Sequence, residues 1–245
     1  MKGGENVKKY WEFKNKTQNS ADLYLYIEIA SWGGGYCAHS AQSFKEELDA
    51  LGNIDILNVY INSPGGDVFE GVAIFNMLKR HKAKVKVYID GLAASIASVI
   101  AMAGDEIYMP NNSFMMVHNA WVSTSGNAEE LRKLADNLEK INTSIRESYL
   151  NKAGEKLDEV TLINLLNNES WLTAKECFDY GLCDFLDEEK NFSAKTDEKA
   201  LEKYKNTPKQ FLKLKIESKN LKDKEYEALK SESDSIINSL NLEEE

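Results

Sequence analysis

The sequence predicts an α/β domain assembled from consecutive strand–turn–helix units, and three observations carry that prediction. Ile56 to Ile61 is a branched apolar run that enters Asn62-Ser63-Pro64-Gly65-Gly66-Asp67, after which a helical pattern spans about Val68 to His81. Lys84-Val85-Lys86-Val87-Tyr88-Ile89 alternates with period two, breaks at Asp90-Gly91, and passes through small residues around Ser95 into a nearly uncharged run ending at Gly104. The two units follow each other directly, which is the grammar of a parallel α/β sheet.

The other elements fit around these units. Residues 1–20 are polar and mixed, with Trp11 and Phe13 as anchors onto the main body. Leu23 to Ile29 is rich in aromatic and branched residues and reads as a strand. Gly33-Gly34-Gly35 lacks both G-x-G-x-x-G spacing and a P-loop Lys-Ser/Thr, so it reads as a flexible connector. Ser40 to Leu51 sets Ala41, Phe44, Leu48 and Leu51 on one helical face. Val72, Ile74, Phe75 and Leu78 supply the buried positions of the next helix. Glu106–Met109, stopped by Pro110, and Phe114–Val117 read as short strands. Asn127 to about Lys152 is the longest helix, with Asn127 and Glu130 forming a capping-box pair. Its Leu131, Leu134, Leu138, Ile141 and Ile145 form a stripe suited to another helix or subunit. A shorter helix lies near Asp158–Asn167. Thr173-Ala174-Lys175-Glu176 opens a further helix that Gly181 closes, and Cys183–Leu186 reads as a last strand.

After Asp187 lysine and glutamate dominate, so the expected organisation is a segment 1–21, a core domain 22–187 and a charged extension 188–245. That extension reads as solvated helix or disorder, or as a scaffold-binding or self-cleaved tail. A net charge of −10 leaves no basic excess for nucleic acid. No apolar run is long enough for a bilayer, and the N-terminus lacks the apolar core of a signal peptide. Cys37, Cys177 and Cys183 form no C-x-x-C pair and read as reduced thiols. The expectation is a cytoplasmic protein.

Ser95 alone favours a Ser N-cap on a core helix. The other reading is a nucleophile, because a strand ending in a small-residue turn presents the hydroxyl beside the bare N–H groups of a helix start. The Gly65-Gly66 turn also leaves backbone N–H groups free for an anion. Among three histidines, His39 and His81 read as exposed. His118, at the edge of the sheet, is the best general base, although a lone His at a strand end is more often structural. Many carboxylates are available to orient it, and spacing does not choose among them.

Ile61-Asn62-Ser63-Pro64-Gly65-Gly66, Gly91-Leu92-Ala93-Ala94-Ser95, Val117-His118, Trp171-Leu172-Thr173-Ala174-Lys175-Glu176 and Tyr180-Gly181-Leu182-Cys183-Asp184 occur in one order. Together they resemble the proteolytic subunit of the Clp protease (ClpP) over roughly residues 22–187. The Gly-Gly-Asp67 turn and the Trp-containing N-terminal region look most like the ClpP-related head-maturation proteases of phages and prophages.

The resemblance implies the ClpP/crotonase-type fold, repeated β-β-α units with a protruding handle helix at residues 127–152. It implies a serine endopeptidase with Ser95 as nucleophile, His118 as base and Glu169 at the position of the family's Asp, with Asn168 and Asp184 as neighbouring alternatives. The Gly66 and Ile96 backbone N–H groups would form the oxyanion hole. It also implies protein or peptide substrates, capsid or scaffold proteins of a phage among them, and a homo-oligomeric ring. Any ATP would be used by a separate unfoldase, since this chain carries no ATP-binding motif and no cofactor is expected in it. The N-terminal region does not match the family's loop pattern, which speaks against dependence on such a partner. The alternatives are a crotonase-like acyl-CoA enzyme and a catalytically silent ring or scaffold protein.

Overall fold

The period-two alternation of the strands becomes a sheet with one buried face. The computed structural model describes residues 9–14, 16–30, 40–187, 201 and 203–208. The chain forms two compact units, Met1–Asn206 and Thr207–Glu245, and all the elements named here lie in the first. The Gly33–Gly35 connector, Cys37, His39 and nearly all of the 188–245 extension lie outside the described residues.

The strands are β1 (Glu12–Lys14), β2 (Ser20–Leu25), β3 (Ile56–Ser63), β4 (Lys84–Ala94), β5 (Glu106–Pro110), β6 (Phe114–Val117), β7 (Ser170–Thr173) and β8 (Phe185–Asp187). The helices are α1 (Ala41–Asp49), α2 (Val68–Lys79), α3 (Ile96–Ala101), α4 (Ala128–Ala153), α5 (Glu159–Asn167) and α6 (Ala174–Asp179). The sheet runs β1-β2-β3-β4-β5-β8, with β1 antiparallel and the remainder parallel. This is the α/β architecture of the ClpP/crotonase type that the sequence predicted.

Leu57, Val59 and Ile61 of β3 and Val85, Val87 and Ile89 of β4 are buried on one face. The opposite face carries Tyr24, Tyr60, Tyr88, Tyr108 and Phe185 in register across five strands. Their rings stack with centroids 4.7–5.1 Å apart, close to the natural strand spacing.

β4 departs from the expected break at Asp90-Gly91. The strand continues to Ala94, pairing first with β3 and β5 and then, at Leu92–Ala94, with β6. Gly91 serves close approach here, because a Cβ on it would lie 2.9 Å from Asn62 Oδ1. That buried amide oxygen accepts the Leu92 N–H at 3.2 Å.

The helices follow their sequence signals. Phe44 and Leu48 of α1 and Ile74 and Leu78 of α2 are fully covered. Asn127 caps α4 with the reciprocal Glu130 bond, and Thr173 and Glu176 do the same for α6. The stripe on α4 divides: Ile145 is buried and Ile141 packs on the core, whereas Leu131 is 44 % exposed. The N-terminal half of α4 therefore extends beyond the core as a handle. Cys177 and Cys183 are buried free thiols, and His81 is half-buried rather than exposed.

The polar N-terminal segment contributes β1, which composition did not reveal. Trp11 is 1 % exposed, packs edge-on against Phe44, and donates from Nε1 to Glu47 Oε2 at 3.1 Å. Trp11→Ala is expected to cost about 3–5 kcal/mol, the usual penalty for deleting a buried large aromatic. Urea unfolding checks this; a loss below about 1 kcal/mol would mean that β1 is not anchored by this ring.

Candidate active site

The seat of Ser95 is built by the junction of β4 and α3. Ser95 has φ 56° and ψ −129°, a left-handed conformation that costs a residue with a side chain on the order of 1–3 kcal/mol. Three bonds hold it there. Its N–H donates to Met116 C=O at 2.8 Å, and its C=O accepts the Ser98 N–H at 2.9 Å and the Ser98 hydroxyl at 2.5 Å. Ser98 Oγ also lies 2.6 Å from the hydroxyl of Tyr149, a buried residue of α4. Burial raises the Tyr149 pKa, so this phenol stays neutral.

The pairing of Ala94 with Met116 brings the end of β4 alongside the end of β6. Ser95 follows one strand and His118 the other, so their meeting is a consequence of sheet register. Ser95 Oγ and His118 Nε2 are 2.6 Å apart. With Nε2 accepting the hydroxyl proton, the neutral ring carries its own proton on Nδ1.

The Gly65-Gly66 turn abuts the same seat. A Cβ on Gly65 would lie 2.5 Å from Ala94 C=O and 2.6 Å from Ser95 Cβ, and one on Gly66 would lie 1.8 Å from Ile29 C=O. Both glycines have positive φ, so contact and conformation alike require glycine. Ser63 shapes the turn, accepting the Gly65 N–H at 3.2 Å and donating to Ile27 C=O at 2.8 Å. Ile29 brackets it, with its N–H bonded to Gly65 C=O and its C=O to the Asp67 N–H. Among the described residues, the N–H groups of Gly66 and Ile96 meet no hydrogen-bond acceptor. The two turns that meet at Ser95 thus each carry a backbone donor free for an acceptor.

Glu169 does not join this pair. Among the described residues no hydrogen bond links it to His118; its Oε1 accepts the Asn206 N–H at 2.7 Å. Glu169 itself has φ 47° just past the end of α5, a site that ordinarily favours Gly or Asn. Asn168 C=O accepts Asn206 Nδ2 at 2.7 Å. Asp184 is committed elsewhere, accepting the Ile107 N–H and Lys152 Nζ, each at 2.7 Å.

Three contributors were missed from sequence. Ser98 and Tyr149 support the Ser95 turn, and Tyr204 covers it. The Tyr204 ring lies edge-on to His118 with centroids 5.2 Å apart, and its hydroxyl donates to Pro64 C=O. Ser98, one turn into a helix that begins after Ser95, was the available signal. Tyr204 stood in a lysine-rich stretch set aside as solvated.

A family model described as Clp protease matches residues 38–190, more than half of the chain. The chain belongs to the Clp protease family. Among its Clp relatives is the ATP-dependent Clp protease proteolytic subunit of Ligilactobacillus salivarius, 31 % identical over 140 residues, covering 56 % of this chain and 70 % of the relative. ATP-dependent Clp protease proteolytic subunit 2 of Treponema denticola is 34 % identical over 138 residues, or 55 % and 68 %. The Bacteroides fragilis Clp proteolytic subunit is 28 % identical over 152 residues, or 61 % and 72 %. No helix among the described residues is long and apolar enough to cross a membrane.

Burial pushes the His118 pKa down to about 4, and the Lys203 ammonium adds to the shift. The ring is therefore neutral at pH 7 and able to accept a proton. In the unfolded chain it titrates near 6.5, so the unfolded state binds more protons between about pH 4 and 6.5, and stability falls as pH drops through that window. Histidine NMR of the whole chain is expected to place the His118 midpoint near 4. A midpoint at or above about 6.5 would contradict the buried geometry.

Proposed function

We propose that this Clp-family chain is a serine endopeptidase whose nucleophile is Ser95. The observation that carries the reading is the 2.6 Å contact between Ser95 Oγ and His118 Nε2, beside two unsatisfied N–H groups. Ser95 Oγ attacks the scissile carbonyl while His118 Nε2 takes its proton. The carbonyl oxygen becomes an oxyanion held by the Gly66 and Ile96 N–H groups, each such donor being worth about 3–4 kcal/mol in the transition state. Collapse breaks the C–N bond, and the amine leaves with the proton from His118. Water, deprotonated by the same ring, then releases the acyl group from Ser95.

Glu169 is the proposed third member. Its strained backbone supports that role, since strain of this kind collects at working sites. In the arrangement described, its carboxylate is held by Asn206 instead. An acyl-CoA enzyme of related fold has no use for the Ser95–His118 contact, which counts against that alternative.

The finer reading follows from the sequence resemblance: protein substrates, with phage capsid or scaffold proteins as the natural class, in a cytoplasmic setting. The exposed Leu131 with half-exposed Leu134 and Leu138 on the handle helix supports assembly into a homo-oligomeric ring. ATP would enter only through a separate unfoldase, with no cofactor in this chain.

A fluorophosphonate probe is expected to label the wild-type chain at Ser95. Ser95→Ala should abolish labelling and lower peptide hydrolysis by at least about 10⁴-fold. Equal labelling of both chains would remove Ser95 from the role.

A further inference from the structure

The first compact unit closes over its own active site. Past the last strand, Leu201 and Tyr204 are 4 % and 5 % exposed although the surrounding sequence is lysine-rich. Three residues, Lys203, Tyr204 and Asn206, fix this segment across the site from one rim to the other. On the β2 side, Lys203 Nζ pairs with Glu28 Oε1 at 2.7 Å, next to Ile29, which brackets the Gly65-Gly66 turn. On the β7 side, the Asn206 N–H and side-chain amide hold Glu169 Oε1 and Asn168 C=O, both at 2.7 Å. Between them the Tyr204 ring stands edge-on to His118 and, with centroids 6.3 Å apart, to Trp171. The Tyr204 hydroxyl donates to Pro64 C=O, one residue before the glycine pair.

We propose that residues 203–206 are a built-in inhibitory strap that holds the peptidase latent. The inference rests on the serine-peptidase reading and specifies how that site is regulated. The strap acts in two ways. Tyr204 occupies the space beside Ser95 and His118 that a substrate segment must enter. Asn206 engages the one carboxylate proposed to orient His118, so the base lacks its partner while the strap is seated. Among the described residues the charged group that acts on the ring is Lys203 of the strap, and its ammonium disfavours the imidazolium that catalysis generates. Leaving the site costs a buried aromatic ring, one ion pair and three hydrogen bonds, so an unfolding force on the tail or a tight-binding substrate segment opens it.

The test uses the full chain and two substitutions that lie outside the catalytic groups, Tyr204→Ala and Lys203→Ala. Removing the ring contacts is expected to raise the fluorophosphonate labelling rate of Ser95, and hydrolysis of an unstructured peptide, by about tenfold or more. Lys203→Ala, which removes the rim ion pair and the ammonium beside the Tyr204 and His118 rings but keeps the tyrosine, should raise both by a smaller factor and guards against a folding defect in the tyrosine variant. The His118 NMR titration midpoint should move upward in both variants. Labelling at the wild-type rate in both variants would overturn the strap while leaving the peptidase reading intact. Labelling in none of the three chains would overturn the peptidase reading and with it the inhibitory role.

Discussion

The structure depends on one backbone constraint, the left-handed turn at Ser95. A serine at φ 56° is costly, and the surrounding chain is arranged to hold it. The Met116 carbonyl fixes its N–H, Ser98 fixes its carbonyl, and Tyr149 fixes Ser98 from the long helix. Gly65 lies so close that a single methyl group there would collide with the turn. Those same restraints leave the hydroxyl pointing to His118 and the Ile96 N–H unclaimed. That strain sets this turn apart from an ordinary Ser N-cap, and the proposed nucleophile role draws on it.

Much of this was legible from residue patterns because the patterns are local. Apolar alternation set the strands, Asn127 with Glu130 and Thr173 with Glu176 marked two helix starts, and glycine pairs marked close turns. The convergence of Ser95 and His118 could be anticipated from motif order, but the cause is the Ala94–Met116 register, a pairing between segments more than twenty residues apart. β1 and β7 escaped notice because each is short and stabilised by a neighbour. Asp90-Gly91 misled for an instructive reason. Glycine there admits the Asn62 side chain within a continuing strand, and a sequence alone does not distinguish close approach from a turn.

The acid position shows the same limit in sharper form. The family resemblance assigns the acid position to Glu169, whereas in the structure its carboxylate is engaged by a segment some forty residues later in the chain. Composition had marked that segment as solvated. Two of its residues, Leu201 and Tyr204, are buried, and for Tyr204 the His118 and Trp171 rings and the Pro64 carbonyl offer contacts that the isolated stretch cannot supply. Charge content describes what a segment can do in water, and here a partner surface within the same unit decides the outcome.

The central claim is that two backbone N–H groups and one strained serine form a single catalytic centre. A crystal structure of the chain with a peptide boronate tests it most directly. The account predicts boron bonded to Ser95 Oγ, one boronate oxygen at about 2.7–3.1 Å from both the Gly66 and Ile96 nitrogens, and Tyr204 displaced from His118. An adduct on another residue, or a boronate oxygen turned away from both nitrogens, would contradict it.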